Sequence, residues 1–346
     1  PPTRIVATDM GIGAVISSIL AIVVALALVL GLAWATIWLL KKLQDRQLGG
    51  RTGGEGEPPI RFIRSMPLGQ RERVVMIEAQ GETMLVGVGY PETWRDYSSL
   101  EVKRDDPLGN RLRADQVEYR HQAAKLGKAP DRKEWWMTPQ RVNAVQLPLQ
   151  NAMNFPAAIL EAPFFDPNAD AAANYGAIGA VIGHEVSHGF DNSGAAFDAE
   201  GRLRNWWTKE DAAHFKGASD KLVAQYNAYE AFPGITLNGT QTLGENIADV
   251  AGLQAAYTAY RTSLGGKPAP VIDGLSGDER FFLAFGQTWR AKLRDESLRA
   301  QVIGGSHTPA RWRALTVRNI DAWYDTFQVK EGAKLYLKPE DRVKIW

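Results

Sequence analysis

The chain has 346 residues, and its 40 Lys and Arg against 39 Asp and Glu leave a formal net charge of +1. This balance gives no electrostatic reason to expect nucleic acid or an anionic membrane surface as the main partner. Cysteine is absent, which excludes disulfides and thiolate ligands and leaves His, Asp and Glu to bind any metal ion.

The amino-terminal part of the chain begins with an apolar segment. Residues 11–40 contain no charged side chain, and this run exceeds the roughly 20 residues that cross a bilayer's hydrocarbon core. We therefore predict one transmembrane helix within an amino-terminal segment of residues 1–42. The alternative is a cleaved signal peptide, but the apolar run continues well past its small-x-small step at Ala33-Trp34-Ala35. More basic residues follow the span than precede it, so the positive-inside rule places the carboxy-terminal side in the cytoplasm.

A flexible tether and a small β region are predicted next. Residues 43–59 are rich in Gly, Pro and charge, which is typical of a flexible tether. Within residues 60–88, three β-prone runs are separated by turn signals and predict a small meander. The apolar span, the basic Gly-rich tether and the run RSMPLGQRERVVMIE together resemble the flagellar biosynthesis protein FliO, an inner-membrane component of flagellar export. The alternative is an arbitrary membrane anchor with a short β linker.

The motif HEVSH at residues 184–188 is the strongest chemical signal. His184 and His188 are four residues apart, so on a helix they share one face and both ring nitrogens can bind one zinc ion. Glu185 lies beside them and is the candidate general base. The preceding residues 175–183 are mostly apolar or small, which predicts a buried helix. The alternative is a chance match whose histidines are merely hydrogen-bonded in a core.

The third ligand must lie elsewhere in the chain. Asp191 and Gly194 stand where a metzincin would carry Gly and His, so that class is excluded. In GENIAD, at residues 244–249, Glu245 and Asp249 share one helix face. We predict that Glu245 completes the zinc shell and that Asp249 accepts the free N–H of a ligand histidine.

HEVSH and GENIAD, preceded by VNA and FPAAILEAPFF, are similar to the neprilysin and endothelin-converting-enzyme family of zinc endopeptidases. The resemblance covers residues 89–346 and implies one Zn²⁺ per chain and an oligopeptide substrate. It also implies that Asn143 and Ala144, on an edge strand, bind the backbone of that substrate by β-augmentation.

The same resemblance extends to the carboxy-terminal segment GSHTPARWR. There it implies that His307 stabilises the oxyanion and that Arg313 binds a substrate carbonyl and supports the site. It further implies an apolar pocket for the residue after the scissile bond, and hence cleavage on the amino side of hydrophobic residues. The implied lining residues are Ile159, Phe164, Val181 and Trp289.

The predicted fold is α+β: one transmembrane helix and a small β meander, followed at residues 89–346 by a mainly helical, zincin-type domain with a short sheet. The predicted function is zinc-dependent endopeptidase activity. The alternative is a FliO-like membrane component of the flagellar export apparatus, with the peptidase part a fused or inactive passenger.

The two resemblances disagree about topology. The charge rule places the catalytic domain in the cytoplasm, whereas peptidases of this family face the periplasm or the exterior. The large helical domain that precedes this segment in family members has no counterpart here. A gene fusion or misassembled reading frame is one interpretation, and a membrane-tethered peptidase of the bacterial inner membrane is the other.

Overall fold

The computed structural model describes residues 60–67, 73–79 and 82–345. The predicted transmembrane helix at 11–40 and the tether at 43–59 lie outside these residues. Within the described ranges, no helix is both long enough and apolar enough to cross a membrane. The described part is mainly helical and contains a short mixed sheet, in agreement with the predicted α+β class.

Five strands form the main sheet in the order β1-β2-β3-β5-β4. The first three strands are an antiparallel meander, and β3 then pairs in parallel with β5. The short strand β4 pairs antiparallel with β5 and forms the opposite edge of the sheet. The strands are β1 (Ile60–Pro67), β2 (Arg73–Ala79), β3 (Glu82–Gly89), β4 (Val145–Leu147) and β5 (Ala152–Pro156).

Along the chain, the first helix lies between β3 and β4, and the other helices follow β5. They are α1 (Pro107–Ala123), α2 (Ala171–Asn174), α3 (Ala180–His188), α4 (Lys209–Asn227), α5 (Leu243–Ser263), α6 (Gly277–Thr288), α7 (Asp295–Gly304), α8 (Ala310–Arg313) and α9 (Asp321–Phe327). A π-helical turn, Tyr175–Gly179, joins α2 to α3. A small hairpin of β6 (Glu230–Phe232) and β7 (Ile235–Thr236) separates α4 from α5.

Helices α3 and α5 pack against each other through glycine. A Cβ on Gly183 would lie 2.4 Å from the carbonyl oxygen of Gly252, and a Cβ on Gly252 would lie 2.4 Å from the backbone nitrogen of His184. Neither contact leaves room for a side chain, so the two backbones approach directly. This close approach brings the helix that carries HEVSH beside the helix that begins with GENIAD.

The meander contributes to the core beneath α3. Met84 and Val86 of β3 are 2% and 7% exposed, and they belong to one apolar cluster with Phe155 of β5 and Val186 of α3. Strand β3 also runs across residues 88 and 89, where the sequence predicts the start of the catalytic domain. The position of that boundary stays a prediction. Strand β3, which crosses it, packs against helix α3 through Met84 and Val86.

Candidate active site

Three predicted zinc ligands meet where α3 and α5 cross. The Nε2 atoms of His184 and His188, one helical turn apart on α3, are 2.9 Å from each other. Oε2 of Glu245, in the first turn of α5, lies 3.2 Å from Nε2 of His184 and 3.7 Å from Nε2 of His188. These three side chains form a group with the geometry to hold a metal ion.

Each histidine is oriented by a carboxylate on its far side. Nδ1 of His184 lies 2.9 Å from Oδ1 of Asp249, and Nδ1 of His188 lies 2.6 Å from Oδ2 of Asp191. An ionised carboxylate can only accept a hydrogen bond, so in each neutral ring Nδ1 carries the proton. The lone pair of each Nε2 therefore points toward the other ligand atoms, which is the tautomer that binds a metal.

This donor set fits zinc. Two nitrogen lone pairs and one carboxylate oxygen face one another, and such groups repel unless a cation lies between them. Within the described ranges, Oε2 of Glu245 is buried and receives no hydrogen bond. Tetrahedral zinc, with bonds of about 2.0–2.1 Å, separates neighbouring ligand atoms by about 3.3 Å. The observed separations of 2.9 to 3.7 Å bracket that value.

The electrostatics of the group also favour a positive charge. Burial raises the pKa of Glu245, but the nearby imidazoles of His184 and His188 outweigh burial and hold that pKa far below its ordinary value. Burial lowers the pKa of His188, yet its hydrogen bond to Asp191 and the nearby carboxylate of Glu245 raise it to about 10. The carboxylates thus make this the place where a cation, either protons or a metal ion, is strongly stabilised.

Glu185 lies between this group and the edge of the sheet. Its side chain is buried, and burial raises its pKa, while His184, His188 and a hydrogen bond from the backbone N–H of Gln146 act in the opposite direction. Gln146 is the central residue of β4. A carboxylate with a raised pKa beside an edge strand is suited to carry a proton for a substrate bound along that strand.

Asn143 and Ala144 lie directly before β4, whereas the sequence places them on the edge strand itself. The strand begins at Val145, directly after Ala144. Asn143 is exposed and Ala144 is buried at 6% exposure. On its side away from β5, β4 pairs with no strand of the described ranges, so its free edge can accept an extended peptide.

His307 and Arg313 approach the group from the carboxy-terminal part of the chain. Nε2 of His307 lies 3.1 Å from Oε1 of Glu245, and its side chain is 51% exposed. Arg313 is nearly buried and donates from Nε and Nη2 to the two oxygens of Asp249, at 2.8 and 2.6 Å. Arg313 thus supports the carboxylate that orients His184, while its binding of a substrate carbonyl stays a prediction.

The four predicted pocket residues lie in two places. Ile159, Phe164 and Val181 belong to the apolar cluster beneath the sheet. Trp289 packs instead with Phe285, and its ring lies 4.0 Å from the guanidinium of Arg313. The structure therefore brings three of the four together and places the fourth beneath Arg313.

Asp191 is a functional residue that sequence reasoning missed. In the sequence it marks only a departure from the metzincin pattern, yet in the structure it orients His188 and also accepts hydrogen bonds from the backbone N–H groups of Ser193 and Gly194, at 2.7 and 2.8 Å. Its position three residues after His188 is the signal that could have identified it, because that spacing returns the side chain toward the same histidine.

The sequence profile of the family described as peptidase family M13 matches residues 143–343, and that of the flagellar biosynthesis protein FliO matches residues 38–91. Endothelin-converting enzyme 1 of Homo sapiens is 36% identical over 270 residues, which are 75% of this chain and 35% of that protein. Neprilysin-3 of Drosophila melanogaster is 33% identical over 271 residues, covering 75% of this chain and 34% of that protein.

The fold is also similar to a solved structure, that of the zinc metalloprotease Zmp1 of Mycobacterium tuberculosis in complex with an inhibitor. The TM-score is 0.73 at 48% identity, over 76% of this chain and 41% of that chain. The chain spans about a third of the length of the curated relatives it matches. Since the M13 profile matches more than half of the residues and the structural likeness covers 76% of the chain, the chain belongs to peptidase family M13.

Proposed function

We propose that this chain is a zinc-dependent endopeptidase that hydrolyses oligopeptides. The observation that carries the proposal is the convergence of Nε2 of His184, Nε2 of His188 and Oε2 of Glu245, with both histidines backed by carboxylates. Membership of family M13 supports it. The matched region is about a third of the length of the curated relatives, so the activity of this shorter chain is part of the proposal.

Five residues of the chain would take part in peptide hydrolysis. Zinc held by His184, His188 and Glu245 would supply a Lewis acid that polarises the peptide carbonyl. Glu185 would take the proton of the attacking water and deliver it to the leaving amine. His307, half exposed beside Glu245, would donate a hydrogen bond to the developing oxyanion.

The substrate would bind in extended form along the free edge of β4. Asn143 and Ala144, directly before this strand, would hydrogen-bond the peptide backbone, as in β-augmentation. The apolar side chains of Ile159, Phe164 and Val181, which pack together, support a preference for cleavage before hydrophobic residues. Trp289 would act through Arg313, over whose guanidinium its ring is stacked.

One observation favours a second candidate function. The FliO profile matches residues 38–91, so the chain could be a membrane component of flagellar export in which the peptidase part is a passenger. Attachment to the bacterial inner membrane through residues 11–40 is part of both proposals. Zinc content separates them, because a passive assembly protein has no use for a stoichiometric metal.

The test uses the full chain, purified in detergent, since Met84 and Val86 of the FliO-like region are buried in the catalytic core. Metal analysis and cleavage of a quenched fluorescent peptide library are measured with and without a zinc chelator. We expect one zinc per chain and chelator-sensitive cleavage before hydrophobic residues. A folded sample that binds no zinc would overturn the proposal in favour of the assembly function.

A further inference from the structure

Two neighbouring residues of the loop between α7 and α8 contact two neighbouring residues at the start of α5. His307 lies against Glu245, with 3.1 Å between Nε2 and Oε1. The next residue, Thr308, donates its hydroxyl to Oδ1 of Asn246 at 2.7 Å. The bond between Thr308 and Asn246 therefore fixes how the loop lies on α5, and this placement sets the position of His307 beside Glu245.

The second contact belongs to a buried polar network. Asn246 and Thr308 are 0% and 1% exposed, and Thr242 is 7% exposed. Nδ2 of Asn246 donates to Oγ1 of Thr242 at 2.9 Å, and Oγ1 of Thr242 donates to the carbonyl of Asn238 at 3.2 Å. Every polar atom of the Asn246 amide thus has a partner, which gives a buried network a single stable arrangement.

His307 itself has little packing to hold it. Its ring is half exposed, and Nδ1 has Oγ of Ser306 at 3.0 Å. The loop is tied to α5 at a second point, because the side chain of Gln241 donates to the carbonyl of Gly305 at 2.8 Å. An exposed ring on a short loop keeps its position only if the backbone on either side is fixed, and here Gln241 fixes one side and Asn246 the other.

We propose that Asn246 and Thr308 are positioning residues that hold the imidazole of His307 at the metal group. The inference rests on the proposed function, in which His307 stabilises the oxyanion. A donor to an oxyanion must be held within a fraction of an ångström, and a misplacement of about 1 Å can cost roughly a hundredfold in rate. Thr308 and Asn246 act on the reaction only through His307.

The test is a set of near-isosteric substitutions. Thr308→Val removes the hydroxyl, and Thr308→Ser keeps it. Thr316→Val is the matched control, because Thr316 is likewise buried, at 0% exposure, and its hydroxyl bonds to Tyr226 of α4. Peptide cleavage, zinc content and hydrogen exchange of residues 303–309 are measured for each variant and for His307→Ala with and without Thr308→Val.

We expect Thr308→Val to lower kcat by roughly ten- to a hundredfold with KM and zinc content unchanged. Thr308→Ser should retain most of the activity, and Thr316→Val should leave kcat unchanged. In the His307→Ala background, Thr308→Val should have no further effect on kcat, since the two residues act as one unit. Effects that multiply, or a Thr308→Val variant equal to the parent, would overturn the inference.

Hydrogen exchange tests the positioning without relying on activity. We expect Thr308→Val to speed exchange in residues 303–309 by at least tenfold, and Thr316→Val to leave that segment as protected as in the parent. Unchanged exchange in Thr308→Val would contradict the inference. If the parent chain cleaves no peptide, the proposed function fails, whereas the exchange comparison still decides whether Thr308 holds the loop.

Discussion

Arg313 and Asp249 face each other through two parallel hydrogen bonds of 2.8 and 2.6 Å, and Asp249 in turn orients His184. Both side chains are almost fully buried. The positive charge of Arg313 therefore compensates the buried negative charge of Asp249, whose other hydrogen-bond partner is His184. This pair connects the carboxy-terminal helix α8 to the metal group on α3 and α5.

Arg313→Met is expected to destabilise the fold by about 3–5 kcal/mol, because it leaves the charge of Asp249 buried and poorly compensated. Arg313→Lys should cost less, since the charge is kept but the paired hydrogen bonds are lost. Chemical denaturation gives the free energy of unfolding. Arg280→Lys, at the buried end of the Arg280–Asp170 ion pair, is the control for losing such geometry away from the site. An Arg313→Met variant as stable as the parent would contradict the prediction.

Asp191→Ala is expected to weaken zinc binding by roughly 10- to 100-fold, because His188 loses the carboxylate that fixes its tautomer and orientation. A competing chelator measures the affinity. Asp198→Ala is the matched control, since Asp198 also accepts backbone N–H bonds in a tight turn, from Glu200 and Arg202, but touches no predicted ligand. Equal zinc affinities for the two variants would show that Asp191 acts only on its turn.

Gly183→Ala is expected to destabilise the protein by about 1–3 kcal/mol or more, because its Cβ would press on the carbonyl of Gly252 and separate α3 from α5. Gly217→Ala is the control. Gly217 lies in α4 with open space where a Cβ would be, so alanine there should stabilise the helix by up to about 1 kcal/mol. Thermal unfolding compares the two. A Gly183→Ala variant as stable as Gly217→Ala would disprove the close approach of the helices.

Met84→Ala is expected to cost about 2–5 kcal/mol, the usual range for a large-to-small change in a core. The change tests whether β3 is a structural part of the catalytic unit, because Met84 is 2% exposed and packs in the cluster beneath α3. Leu203→Ala is the control, since Leu203 is 78% exposed. If both variants unfold at the same denaturant concentration as the parent, β3 does not belong to this core.

The metal group could be predicted from the sequence because its geometry is mostly local. His184 and His188 are one helical turn apart, and Glu245 and Asp249 repeat that spacing on a second helix. The crossing of the helices was not predictable in this way, since it depends on a contact between Gly183 and Gly252 that no local pattern reveals.

Other features depend on contacts between distant parts of the chain. The pairing of β3 with β5 joins residues more than sixty positions apart, such as Leu85 and Ala152, and a β-prone run does not indicate its partner. The separation of Trp289 from the other three pocket residues likewise follows from the packing of α6. Asn246 and Thr308 stood beside two predicted site residues, but only the tertiary structure brings their side chains together.

The role of Glu185 as general base is tested by the Glu185→Gln variant of the full chain, assayed for both bound zinc and peptide cleavage. Glutamine preserves the size of the side chain but cannot accept the proton of the attacking water. We expect one zinc per chain, as in the parent, and a loss of cleavage of about a hundredfold or more. Cleavage at the parental rate by a zinc-loaded Glu185→Gln variant would contradict the assignment of Glu185 as the general base.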